Sequence, residues 1–166
     1  MDSVRTIWTK QCFFIAYDDR DVSVAGNLKR EREHEPWTCE VISQYLKPGM
    51  HVAVIGSNYG IFDCLAVKAV QPTGHVWSFE ANPQLIPFLK MNLANQANEL
   101  DSRCSTVIDQ AVWSTNGTVT MHRVPNNVNL GGTSVAMDDP TKTEIIQVPC
   151  TTIDDYFGPL DVTLDL

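Results

Sequence analysis

The stretch HVAVIGSNYGIFDCLAVKA, residues 51–69, decides how the rest of the chain is read. HVAVI (51–55) is a nearly continuous apolar run, as in a strand covered on both faces. Gly56 and Gly60 then bracket Ser57, Asn58 and Tyr59, and a second apolar run, 59–70, has the length of a helix. Pro72-Thr73-Gly74 closes it. Glycine allows a tight turn and close approach of backbone to a ligand, and the start of the helix offers N–H groups there. Alone, G-x-x-x-G also fits a plain strand-to-helix turn.

Working outward, HVWSFE (75–80) reads as a second strand. Pro83 opens another helix, with Leu85, Ile86, Leu89 and Leu93 on one face, and residues 106–108 form a third strand. The order β-α-β-α-β predicts a parallel, doubly wound α/β sheet with right-handed crossovers. Ligands of such sheets lie across the strand ends. The second strand ends on Glu80, an acid able to accept hydrogen bonds from both ribose hydroxyls. The third ends on Asp109 and Gln110, within reach of an adenine edge. These ends suit an adenosine. A nicotinamide dinucleotide wants G-x-G-x-x-G around its pyrophosphate, and the loop lacks that spacing. S-adenosylmethionine has no phosphate to admit and accepts a looser loop.

On the N-terminal side, CFFIAY (12–17) and VSVA (22–25) read as a hairpin around an acidic turn. NLKREREHE (27–35) reads as a solvated, charged connector. PWTCEVISQYL (36–46) is helical, with Trp37, Val41, Ile42 and Leu46 on one side and Pro36 in the first turn. The division is a hairpin and connector over 1–36 and a cofactor-binding unit over 37–166. On the C-terminal side, TVTMHRV (118–124) and EIIQVP (144–149) form a hairpin with a long, glycine-rich loop. TTIDDYF (151–157) is a short helix capped by Thr151 or Thr152. LDVTLDL (160–166) starts a further buried strand, expected parallel to 51–55.

Composition narrows the function. With 166 residues, 43% hydrophobic and 19% charged, the chain can bury a core. A net charge of -8 argues against nucleic acid, which needs a basic face. Small uncharged or cationic ligands agree better with it. No apolar run is long enough to span a bilayer. The five cysteines are odd in number and form no C-x-x-C pair, which points to reduced, mostly buried thiols and a cytoplasmic protein. Asn116-Gly117-Thr118 reads as a turn. Neither the histidines nor Asp138-Asp139 has metal-ligand spacing.

The ordered motifs resemble the FkbM family of S-adenosylmethionine-dependent methyltransferases. They are Glu35-Pro36, Leu46-Lys47-Pro48-Gly49, the loop Val54 to Gly60, and Gly74-His75-Val76-Trp77-Ser78-Phe79-Glu80-Ala81-Asn82-Pro83. Ala111-Val112, Gly131-Gly132-Thr133-Ser134 and Thr152-Ile153-Asp154-Asp155 follow in order. The resemblance implies a Rossmann-like class I methyltransferase fold and methyl transfer to a hydroxyl of a small molecule, sugar or lipid. It implies that Gly56, Ser57, Asn58 and Gly60 line the methionine part of the cofactor, with Tyr59 also in the binding loop and Glu35 approaching from the preceding helix. Glu80, followed by Ala81 and Asn82, would hold the ribose, and Asp109, Gln110 and Ala111 would lie near adenine.

The chain departs from the family twice. Val54 stands where the loop usually carries an acid, and Glu35 or Asp63 would have to compensate, although Asp63 reads as a helix-surface residue. The motif at Leu164-Asp165-Leu166 is only begun, so by the resemblance the C-terminal half of the sheet is expected to be incomplete. Asp165, expected at a strand tip near the methyl, is the candidate base for a hydroxyl acceptor. The last strand, left as an edge, would favour self-association. Two rival readings remain: a non-catalytic binding or assembly module, and a nicotinamide-dependent oxidoreductase.

Overall fold

The computed structural model describes residues 3–100, 104–135 and 141–166. Its centre is the parallel sheet read from the sequence: β3 (His51–Ile55), β4 (His75–Phe79) and β5 (Ser105–Ile108), in the order β3-β4-β5. The crossovers are α3 (Ile61–Val70) and α4 (Ile86–Leu100). Alternation along the strands sends side chains to two cores. Val52, Val76 and Val107 face α3 and α4, where Cys64, Val67, Leu89 and Leu93 meet them. Ala53, Trp77, Phe79 and Ile108 face the other way and pack on Phe157 of α5 (Ile153–Phe157). Apolar side chains on both faces explain why the strands read as unbroken runs. The layout is a Rossmann-like α/β fold with helices on both faces of a parallel sheet.

The N-terminal hairpin exists, but with different strands. β2 (Phe14–Asp18) pairs antiparallel with β1 (Val4–Trp8), not with residues 22–25. Those residues open α1 (Val24–Glu31), so half of the expected connector is helical. The buried carboxylate of Asp21 explains the switch: it accepts from the backbone N–H and hydroxyl of Ser23 at 2.8 and 2.6 Å, ahead of the first turn. An acid there satisfies helix-start donors and complements the dipole. Val24, Ala25 and Leu28 then point inward while the charged residues face water. Phe13, Ile15, Tyr17 and Leu28 belong to the same core as α3 and α4.

α2 (Pro36–Tyr45) lies where expected, with a different buried face. Trp37, Val41 and Tyr45 are 78%, 50% and 62% exposed, whereas Cys39 and Leu46 are buried. After β5 the chain passes through Asp109 and Gln110 into β6 (Ala111–Val112), which pairs parallel with β8 (Glu144–Thr151). β7 (Gly117–Arg123) pairs antiparallel with β8, forming the expected long-looped hairpin. Thr152 caps α5 by accepting from the Asp155 N–H at 3.0 Å.

The last segment departs from its reading. Residues 158–160 form a 3-10 turn and Asp161 is left-handed at φ 52°. The chain therefore reaches β3 only at its final residues, where Asp165 N–H donates to His51 C=O at 2.8 Å and Ala53 N–H to Leu166 C=O at 2.9 Å. It runs parallel beside β3 as expected, but forms no regular strand. No helix among the described residues is long and apolar enough to cross a membrane.

Candidate cofactor site

Leaving β3, the backbone turns at Gly56 with φ 78°, and both Gly56 and Ser57 N–H groups donate to the Phe79 carbonyl at 2.9 and 3.0 Å. The loop is thus bent back across the end of β4. Asn58 is left-handed, its N–H donates to Glu80 Oε2 at 2.7 Å, and its side-chain oxygen accepts from Tyr59 N–H at 2.8 Å. Gly60, at φ 83°, donates to the Ser57 carbonyl at 2.8 Å and caps α3. A Cβ on Gly60 would stand 2.7 Å from Leu89 Cδ1, so the position demands glycine for space as well as conformation. A Cβ on Gly56 would meet nothing within 4 Å, because that side faces open cavity.

Two adjoining cavities share Gly56, Asn58 and Gly131. The first, about 220 Å³, lies over the ends of β4 and β5 between Glu80, Gln110 and Ala111, with Leu85, Trp113 and Met121 as apolar walls. The second, about 350 Å³, is enclosed by Ser57, Phe62, His34 and Glu35. The roof of both is the turn 129–133 of the β7–β8 loop, tied down by Asn82, whose Nδ2 donates to Leu130 C=O at 3.1 Å and Thr133 Oγ1 at 3.0 Å.

The acids at these cavities are set by burial. Glu80 is buried, and desolvation raises its pKa, while the Asn82 and Asn58 N–H groups pull it back. Oε1 accepts from Asn82 at 2.7 Å and Oε2 from Asn58, and the Ala81 N–H also faces the carboxylate, which thereby braces two loops. Glu35 is left-handed at φ 46° at the mouth of α2, with Oε2 accepting from Thr38 Oγ1 at 2.9 Å. His34, its neighbour, is lowered by burial against the pull of Glu35 and Asp21.

Of the residues named from the sequence, Glu35, Gly56, Ser57, Asn58, Glu80, Ala81, Gln110 and Ala111 line the cavities. Four do not. Tyr59 is buried in the core with its ring edge-on to Phe88 at 5.5 Å. Gly60 and Asn82 act from behind the lining, as cap and as roof tie. Asp109 points away and pairs with Lys90 at 3.0 Å. Asp165 stands at the opposite end of β3, its carboxylate accepting from His51 N–H at 2.8 Å. Four strand residues separate it from the loop, about 13 Å at the usual rise, so it does not meet the cavities. Val54 packs into the core facing α3, and Asp63, read as a surface residue, is fully buried beneath the loop. Sequence reasoning did not assign the roof turn, although its G-G-T-S run was the signal. Among the described residues no group of three or more His, Cys, Asp or Glu is placed to hold a metal. The Asp138-Asp139 pair lies outside the described residues.

This donor set fits an adenosine carrying a cationic, phosphate-free substituent. The N–H groups of residues 56 to 60 are all satisfied within the protein, and each cavity carries a carboxylate.

No family model matches the chain. It is similar to protein-L-isoaspartate O-methyltransferase of Triticum aestivum, 29% identical over 85 residues, or 51% of this chain and 37% of that protein. The same enzyme of Methanothrix thermoacetophila is 29% identical over 80 residues, 48% of this chain and 37% of the relative. The chain therefore spans little more than a third of the curated relatives it matches. Among solved structures, an S-adenosylmethionine-dependent O-methyltransferase of Thermotoga maritima superposes with TM-score 0.43 at 14% identity, over 68% of this chain and 52% of that one. A tRNA m1G37 methyltransferase of M. jannaschii superposes with TM-score 0.42 at 13% identity, over 69% and 34%.

Proposed function

We propose that the chain binds S-adenosylmethionine across the two cavities and is the cofactor-binding part of a methyltransferase. The adenosine occupies the cavity between Glu80 and Gln110, with Glu80 accepting from the ribose hydroxyls. The methionine end occupies the cavity of Ser57 and Glu35. Bound there, the cofactor supplies a methyl already activated by its sulfonium. The residues of this chain orient it and exclude water around it.

The observation that carries the reading is the self-satisfied loop. A dinucleotide needs free N–H donors for its pyrophosphate, and residues 56–60 present none. That disfavours the oxidoreductase alternative. Sequence similarity to two named methyltransferases, though partial, points the same way. The narrower FkbM likeness rests on its motifs, and from it we take an O-methyl acceptor on a small molecule, sugar or lipid. We place the protein in the cytoplasm on its cysteine usage.

A second acceptor class has an observation in its favour. Asp165 is held at the far end of β3, so it does not serve as a base at the cavities. An acceptor that is already an anionic oxygen needs no base. The two curated relatives are named for O-methyl transfer to protein L-isoaspartate.

Calorimetric titration with S-adenosylhomocysteine, beside NADH, tests the cofactor. Binding of the first alone is expected, and Glu80→Ala should weaken it by at least tenfold, the loss of one or two charge-assisted hydrogen bonds. Binding of NADH alone, or unchanged affinity in Glu80→Ala, would overturn the assignment.

A further inference from the structure

The first turn of α3 buries an acid that lines neither cavity. Asp63 is 0% exposed. Its Oδ1 accepts from Ser57 Oγ at 2.8 Å, and Ser57 is part of the wall of the second cavity. Its Oδ2 makes no well-formed hydrogen bond, and neither does Ser78 Oγ, which faces the same carboxyl from β4. A half-satisfied buried carboxyl costs stability. An apolar or hydroxyl side chain would fill the position without that cost.

The surroundings favour a proton on this group near neutrality. Desolvation pushes it up to about 7, Glu80 at the end of β4 pushes the same way, and Ser78, Ser57 and its own backbone N–H pull it down. Glu80 is the charged group that faces it. From β3 comes apolar Val54, and from α4 comes Leu89, packed over Gly60 beside it. Ser57 also reaches the Val54 carbonyl at 3.4 Å, so its hydroxyl has a second, weaker acceptor when Asp63 loosens its hold.

We propose that Asp63 is a positioning residue of the cofactor site. As a carboxylate it holds Ser57 Oγ, and with it the turn 56–60, in the shape that receives the ligand. Protonated, it holds the turn through a weaker, neutral bond, so affinity rises as Asp63 ionises. The acid that the end of β3 lacks at Val54 is thereby supplied from below, by the helix. This rests on the cofactor reading above.

The test is calorimetry of the full chain with S-adenosylhomocysteine from about pH 5.5 to about pH 8.5, bracketing the ionisation. Wild-type affinity should rise about fivefold to tenfold across the window, the difference between a neutral and a charge-assisted hydrogen bond. Asp63→Asn should bind at the low-pH level throughout, and any dependence contributed by Glu80 survives in it and is subtracted. Ser57→Ala should lose as much, and the double variant no more than either single one. Amide hydrogen exchange over residues 56–60, without ligand, should be faster in Asp63→Asn than in wild type at high pH and equal at low pH. If Asp63→Asn fails to fold, the pH profile of Ser57→Ala decides: its rise should be smaller than that of the wild type, with the Glu80 part alone left, and an unchanged rise overturns the proposal. A wild-type pH profile in Asp63→Asn, or additive losses, overturns the proposal and leaves the cofactor reading standing. Failure of the wild type to bind at any pH removes both.

Discussion

Val54 and Ser78 stand opposite each other on β3 and β4, and both point to the side on which Asp63 lies. That pairing reverses a simple expectation. Restoring an acid at 54 would not restore a cofactor ligand, because the side chain faces the core. It would set a second carboxylate beside Asp63, where like charges and desolvation oppose ionisation. Val54→Asp should therefore destabilise the fold by about 2 kcal/mol or more, read as a lower urea midpoint, with no gain in ligand affinity. Glu80, Gln110 and Gly56 were legible in the sequence because the end of a parallel strand is a fixed address. The burial of Asp63 was missed although helical spacing put it in line with Val67 and Val70, both buried. An acid on an apolar stripe was the available signal, and it was read as surface because isolated carboxylates seldom go inside.

At the scale of elements, Asn92 of α4 ties three parts of the molecule together. Its Oδ1 accepts from Ala16 N–H at 2.7 Å, and its Nδ2 donates to Ala16 C=O at 3.0 Å and to Tyr59 C=O at 2.7 Å. The hairpin strand β2 and the end of the glycine loop are thus fixed to one buried amide. Asn92→Ala would leave three backbone groups unpaired. It should cost about 3 kcal/mol or more, measurable by thermal melting. β3, β4, α3 and α4 were legible because their apolar periods agree with their surroundings. α1 was not, because VSVA alternates like a strand and the deciding group, Asp21, precedes it. The face of α2 was misjudged for a related reason: Trp37, Val41 and Ile42 all carry apolar surface, and only packing against α3 selects Cys39 and Ile42 over Trp37.

For the whole molecule, β3 is an incompletely covered border. Among the described residues its outer side is bonded through Ala53 N–H and His51 C=O, plus the Asp165 carboxylate, and Ile55, Leu160 and Leu166 are exposed apolar residues. Unpaired strand edges beside apolar side chains recruit other chains. We expect this chain to self-associate through that border. Light scattering over a range of concentrations checks it, and a constant monomer mass at high concentration would contradict it. Acid–base behaviour separates elsewhere: Arg20 holds Asp18 down to about 2, while burial holds Asp63 up at about 7. The two carboxyls respond oppositely as pH falls. Asp63 contributes most to stability below its unfolded value and loses that contribution as pH rises through about 7, whereas the contribution of Asp18 fades only as pH approaches about 2.

The roof turn over the two cavities carries a kinetic consequence. Gly131 sits against Asn58 where the cavities meet, and a Cβ there would stand 2.6 Å from Asn58 Nδ2. On the cofactor reading, a ligand lying through both chambers would pass beneath this turn, held in place by the two bonds from Asn82 to Leu130 and Thr133. Loosening that tie, as in Asn82→Ala, should then shorten the residence time of the bound ligand, with exchange of spent for fresh cofactor speeding up alongside it.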